Sequence, residues 1–195
     1  NDMGASLMAY PDLVAEILSE ARKATKKPVT VKCRIGIDGT SVLPDSLPRV
    51  ILDQYEDLSH FVKTLKDRGT EHFIIHARIA ILAGLSPKDN REIPPLRYED
   101  VYRIKKEFPD LFVEINGGIR TEDQIKSHLR QVDGVMIGRA AYEDAYLLSK
   151  VDALLPGETS SSPTRREVIE NFLPYVAQFE EDKRTAHHAL KNTLG

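Results

Sequence analysis

His72-Phe-Ile-Ile-His76-Ala-Arg78-Ile-Ala-Ile-Leu-Ala-Gly84-Leu-Ser86-Pro87-Lys88-Asp-Asn90-Arg91-Glu-Ile-Pro94-Pro95-Leu96 is the stretch whose reading decides the fold. A short apolar strand, His72 to His76, ends in a histidine and an arginine. About twenty residues then pass before the next helical periodicity. Loops beyond about 12–15 residues in a compact domain are functional or disordered. Ile81, Leu82, Leu85, Leu96 and the paired prolines favour order. The loop is read as carrying Arg78, Lys88 and Arg91 to a site.

Strands and helices alternate on both sides of this stretch. Leu13, Val14, Ile17, Leu18 and Ala21 recur at helical spacing over residues 11–26, with Pro11 suited to the first turn. A strand follows over Val29 to Cys33. Its alternation sets Val29, Val31 and Cys33 on one face and Thr30 and Lys32 on the other. Residues 37–54 read as a loop, with a surface excursion over 39–52 and no assigned role. A helix over 53–68 buries Leu58, Phe61, Val62 and Leu65, and Gly69 ends it.

In the strand of the opening stretch, His72, Ile74 and His76 share a face opposite Phe73 and Ile75. Residues 98–107 predict a helix and Phe112 to Asn116 a strand with Asn116 at its tip. Thr121-Glu-Asp-Gln124 has capping-box spacing. A last strand, Gly134 to Ile137, runs into Gly138-Arg139 and a helix to about Lys150. Strand and helix alternating four times predict a parallel α/β fold. Lys32, His76 and Asn116 are expected on one face at the carboxyl ends of successive strands, where parallel α/β folds carry their sites.

Residues 156–163, Pro-Gly-Glu-Thr-Ser-Ser-Ser-Pro, read as a linker. Thr164-Arg-Arg-Glu167 repeats the capping-box spacing, and Val168, Phe172, Val176 and Phe179 line one helical face. A second helix is expected over 182–194. The organisation is therefore a domain over 1–155, a linker over 156–163 and a helical segment over 164–195.

Composition sets wide bounds. The 195 residues are 41% hydrophobic and 29% charged, ordinary for a globular domain. No apolar run approaches the ~20 residues that span a bilayer, and no basic stretch followed by an apolar run opens the chain. One cysteine, Cys33, excludes an internal disulfide and suits a reducing, cytoplasmic setting, with an organellar one left open. A net charge of -3 neither predicts nor forbids nucleic-acid binding, because a local basic patch can act on an acidic protein.

His76-Ala77-Arg78, Gly84-Leu85-Ser86-Pro87-Lys88, Asn90-Arg91 and Ile93-Pro94-Pro95-Leu96 resemble the tRNA-dihydrouridine synthases, most of all the subfamily that reduces uridines in the tRNA D-loop. Gly4-Ala5-Ser6-Leu7-Met8, Val29 to Gly36, Asn116-Gly117-Gly118-Ile119 and Asp133 to Arg139 agree in the same order. The match covers roughly residues 4 to 150. The resemblance implies a (β/α)8 barrel followed by a small helical domain. A barrel alone takes about 250 residues, so the chain is expected to hold about the carboxyl-terminal half of the barrel and part of the helical domain. Its open strand edges and inner face are expected to promote association, whereas the full-length parent is expected as a monomer.

The resemblance also implies chemistry. The activity would be reduction of a tRNA uridine to 5,6-dihydrouridine with FMN, NADPH acting as reductant. Lys32 would lie beside the flavin ring and His76 on the flavin. Asn116, Gly117, Gly118, Gly138 and Arg139 would hold the cofactor. Arg78, Lys88 and Arg91 would face tRNA. The proton donor of the family is a cysteine in a Gly-Cys-Pro stretch expected upstream of Asn1. No catalytic residue is therefore assigned within this chain, and neither Cys33 nor Ser6 takes that role.

Each residue also has a plainer reading. The glycines suit tight turns whether or not a phosphate sits there. Lys32 could be a solvated lysine and His76 a core histidine. The loop cations could be solvated charges. His60, His72, His128, His187 and His188 are read as surface residues and not as a metal site. Two other functions remain open on the residues: a flavin barrel reductase of small molecules, and a non-catalytic RNA-binding remnant.

Overall fold

The computed structural model describes residues 4–151, 154 and 162–178. The chain divides into two compact units: Asn1–Gly118 with His128–Met136, and Ile119–Ser127 with Ile137–Gly195. The expected linker and second terminal helix lie largely or wholly outside the described residues, as does Phe179.

The first unit holds the sheet. Its strands are β1 (Val31–Asp38), β2 (Ile51–Leu52), β3 (His72–Ile81), β4 (Phe112–Asn116) and β5 (Gly134–Met136). They pair in the order β2-β1-β3-β4-β5, and every neighbouring pair except β1 with β2 is parallel. A parallel sheet built from successive βα units is the arrangement expected of part of a (β/α) barrel.

Alternation sends Phe73, Ile75, Val113 and Ile115 to one face, where all four are fully buried. Against them pack α2 (Tyr55–Asp67) through Leu58, Val62 and Leu65, and α3 (Tyr98–Glu107) through Val101 and Ile104. Burying each such side chain contributes about 1.5–3 kcal/mol. Gln54 and Asp57 form a reciprocal capping box that starts α2, and Gly69, at φ +88°, follows its end. Arg103 stacks 3.5 Å over the Tyr55 ring, joining α2 to α3.

Several boundaries differ from the sequence reading. β1 begins at Val31, not Val29, and runs to Asp38 through Gly36. Gly36 does not break the strand. It is small because a β-carbon there would meet Leu52 O at 2.2 Å. Leu52 belongs to the antiparallel strand β2, which the loop reading of 37–54 did not foresee. The 39–52 segment is tied back by Gly39 N–H donating to Val50 O, with Leu43 buried beneath it. β3 continues five residues past His76, and the loop after it starts at Leu82.

Helix α1 (Pro11–Ala24), preceded by a 3-10 turn over Gly4–Ala9, buries Ala15 and Leu18. Leu13 and Ile17, which share the apolar spacing of this helix, are exposed.

In the second unit, Thr121 and Gln124 cap each other at 3.2 and 3.3 Å at the start of α4 (Glu122–Leu129). The single helix expected to Lys150 is instead α5 (Arg139–Glu143), a 3-10 turn and α6 (Leu148–Val151). The break falls at Asp144, whose carboxylate accepts from Tyr146 N–H at 3.2 Å and also from Arg165 at 3.2 Å. Arg165 opens α7 (Arg165–Ala177), where the Thr164–Glu167 capping box is formed as expected. No helix among the described residues is long and apolar enough to cross a membrane.

Candidate functional site

Register decides which side chains meet. Arg34 pairs with His76, His76 with Asn116, and Asn116 with Met136. These four residues form one row across four parallel strands, on the face opposite the helix-packed core. The row behind it reads Lys32, Ile74, Glu114 and Gly134. Lys32 is therefore not at a strand's carboxyl end, as expected, but the second residue of an eight-residue strand, one row behind His76. Arg34 occupies the place beside His76. Sequence reasoning missed it; the signal was the i, i+2 spacing from Lys32, which repeats a face.

His76 is buried at 9% exposure and its ring lies against the turn after β4. There Gly117 and Gly118 have φ of +122° and +69°, conformations that a side chain disfavours. A β-carbon on Gly117 would come within 3.0 Å of Leu96 and 3.3 Å of His76 Nε2. The expected grouping of His76, Asn116, Gly117 and Gly118 is thus present in the first unit. The Asn116 amide donates to Met136 O at 2.8 Å, which fixes the tip of β4 to β5.

Lys32 and Cys33 line a cavity of about 430 Å³ with Leu7, Met8, Val14 and Phe61. Surrounding protein holds the Lys32 ammonium below the usual lysine range, opposed by Cys33 and reinforced by Arg34. Burial pushes the Cys33 thiol up to about 12, so it is a poor nucleophile.

The loop after β3 is ordered by its own polar groups. Ile81 N–H donates to Asn90 Oδ1 and Asn90 Nδ2 donates to Ile81 O, both at 2.8 Å. The Arg34 guanidinium spans to Ile79 O at 3.0 Å and Asn90 O at 2.8 Å. Arg78 donates to the carbonyls of Glu92 and Pro94. Burial first, and then the charges of Arg78 and Arg91, lower the pKa of Arg34. Three guanidiniums therefore gather at the base of this loop. Lys88 and Arg91 are exposed, and their side chains make no hydrogen bond or ion pair with the described residues.

Two histidines read as surface residues are not. His72 is half-buried, its Nε2 2.6 Å from Glu114 Oε1 and its ring edge-on to Phe112. His128 is buried, bonded through Nδ1 to the Tyr102 hydroxyl at 2.7 Å. Their partners lie 42 and 26 residues away, beyond the reach of local periodicity.

Gly138 and Arg139 belong to the second unit. Gly138 is the N-cap of α5, and a β-carbon there would meet nothing within 4 Å. On the same unit Arg120 pairs with Glu143 at 2.7 Å.

Comparison with known proteins places the chain in a family. The dihydrouridine synthase (Dus) family matches residues 1–195. A tRNA-dihydrouridine(20/20a) synthase of Synechocystis sp. is 53% identical over 91% of this chain and 49% of its own length. Proteins of the same name from Pseudomonas putida and Shewanella oneidensis are each 45% identical, over 100% and 98% of this chain and 54% of their own lengths. The chain spans about half the length of these relatives. With a family match along its whole length and this identity, the chain belongs to the dihydrouridine synthase family.

Proposed function

We propose that the protein to which this chain belongs reduces uridine to 5,6-dihydrouridine in tRNA, with FMN as cofactor and NADPH as reductant. The observation that carries this reading is the row Arg34–His76–Asn116 with Gly117 packed against His76. It sets a guanidinium, a ring nitrogen and an amide on one sheet face beside a glycine turn. That donor set suits a flavin, which offers carbonyl oxygens and a phosphate. Bound there, FMN would supply the hydride.

The residues of this chain would do the rest of the holding. Lys32 provides positive charge on the same sheet face, which favours an electron-rich cofactor ring. The Asn116–Gly118 turn would bring backbone close to the cofactor's phosphate. Gly138 and Arg139 enter the assignment from sequence alone. Lys88 and Arg91 would contact tRNA phosphates, which position the nucleic acid without reading its sequence. Arg78, half-buried at the loop base, would face the target nucleotide, because a base must leave its stack to be reduced. Helix α7 would belong to a helical domain that adds tRNA contacts.

The test is made on the whole protein. Purified protein should carry FMN, and with NADPH it should form dihydrouridine in tRNA lacking it, measured by mass spectrometry of digested nucleosides. Lys32→Ala should lower that rate at least tenfold. A flavin-free protein, or one that reduces only free small molecules, would overturn the reading.

A further inference from the structure

Behind the Gly117–Gly118 turn stands a small aromatic assembly that the proposed chemistry does not use. The Tyr98 hydroxyl donates to Gly117 O at 2.7 Å. The Tyr98 ring meets His128 edge-on, with centroids 4.5 Å apart at 69°. His128 is in turn bonded to the Tyr102 hydroxyl at 2.7 Å. Tyr98 opens α3, Tyr102 follows one helical turn later, and His128 ends α4. Three side chains from two helices thus form a chain that ends on one carbonyl, which only Tyr98 touches.

We infer that Tyr98 is a positioning residue for the phosphate of the cofactor: its hydroxyl, backed by His128 and Tyr102, sets the Gly117 peptide and with it the Gly117–Gly118 turn. This rests on the flavin reading given above.

Geometry makes the turn dependent on that bond. Both glycines have positive φ, and glycine restricts its own backbone less than any other residue. A turn with that freedom needs an outside restraint to present its amides in one direction. Leu96 supplies a steric one, since β-carbons on Gly117 and Gly118 would approach it to 3.0 and 2.6 Å. Tyr98 supplies the polar one, and its hydroxyl lies 3.2 Å from where a Gly118 β-carbon would be. Leu96 holds the turn at a distance, while the hydroxyl fixes its rotation.

The assembly stays uncharged at neutral pH. Burial raises the Tyr98 phenol, opposed by Arg78, and burial lowers His128. Tyr98 therefore keeps the proton it donates. Binding energy lost through a loosened turn falls on the part of the ligand that the turn touches.

That supplies the experiment. FMN and riboflavin differ only in the phosphate, so their affinities for the full-length apoprotein, followed by flavin fluorescence, separate turn from ring. The wild type should prefer FMN. Tyr98→Phe keeps the aromatic packing and should reduce that preference roughly three- to tenfold, leaving riboflavin affinity unchanged and lowering apoprotein melting by only a few degrees, the cost of one lost hydrogen bond. Tyr102→Phe, one bond further back, should reduce it in the same direction and by less. If Tyr98→Phe keeps the wild-type preference, or weakens both flavins equally, Tyr98 does not position the turn. If the wild type binds neither flavin, the proposed function itself falls, and this inference with it.

Discussion

Arg34 and Asn90 are 56 residues apart in sequence, yet the guanidinium of the first donates to the carbonyl of the second at 2.8 Å. The bond fastens the loop after β3 to a different strand. Asn90 completes the fastening by presenting its amide to Ile81 as a neighbouring strand would.

Replacing Asn90 by Ala should therefore release the loop at one point. Two hydrogen bonds vanish and leave the Ile81 peptide groups half-buried, at a cost of about 1–3 kcal/mol. Limited proteolysis should cut residues 82–91 several times faster in the variant, with the sheet unaffected. An unchanged cleavage rate would show that Arg34 and Arg78 suffice to hold the loop.

Lys88 and Arg91 are exposed, and their side chains make no hydrogen bond or ion pair with the described residues. If they meet tRNA phosphates, Lys88→Ala and Arg91→Ala should each weaken tRNA binding. Each should also flatten the slope of log affinity against log salt by about one unit. Flavin content should stay at the wild-type level. Wild-type affinity and slope in both variants would assign these charges to solvent.

Cys33 should be chemically quiet. With its thiol near 12, only about one molecule in ten thousand is thiolate at pH 8. Iodoacetamide should label it slowly in the folded protein and quickly after denaturation. Cys33→Ala should form dihydrouridine within about twofold of the wild-type rate, because the loss of a positioned acid costs about a hundredfold or more. A large loss in that variant would place Cys33 among the reacting groups.

Glu107 predicts a dependence of stability on pH. Ser59 Oγ donates to its carboxylate at 2.6 Å and the Tyr55 hydroxyl at 2.5 Å. These bonds hold the Glu107 carboxyl below its usual range, aided by Arg103. A depressed folded-state value stabilises the protein above the unfolded pKa of ~4.3. That contribution is lost as pH falls through the folded value. The group is largely exposed, so screening limits the effect to on the order of 0.5 kcal/mol. Between pH 6 and 3, melting temperature should fall more in the wild type than in Glu107→Gln. Parallel curves would mean the cluster does not titrate with folding.

Local pattern was enough for α3 and β4, whose limits match the sequence reading. Their apolar spacing is regular, and Pro109 and Gly117 punctuate them. It was not enough for β1 and β3. Gly36 reads as a breaker, although its missing side chain makes room for Leu52. Arg78 reads as the start of a loop, although its charge is met by the carbonyls of Glu92 and Pro94. The glycine turn, His76 and Asn116 were legible as a site because each falls at a strand end or inward position. Arg34 was not, since only the pairing of β1 with β3 puts it beside His76. The restraint by Tyr98, 19 residues from Gly117, has no local signature at all.

Between Arg34 and Gly36 the ladder slips: β1 advances from Arg34 to Gly36 while β3 advances from His76 to Ile79. Two steps on one strand match three on the other. Alternation on β3 therefore changes sides within Ala77–Ile79, and Ala80 returns to the buried layer opposite Ile37. This short segment therefore carries one residue more than the ladder needs. Removing one residue there would match two steps with two: Ala80 and Ile81 would keep their partners and faces, while the bulge that aims Arg78 would be lost. Lengthening residues 39–52, which enter and leave beside one edge strand, would leave that ladder untouched. A one-residue deletion within His72–His76 should thus slip the register and unseat the core, while one within Ala77–Ile79 leaves the strands paired, a contrast that a library of one-residue length variants would expose directly.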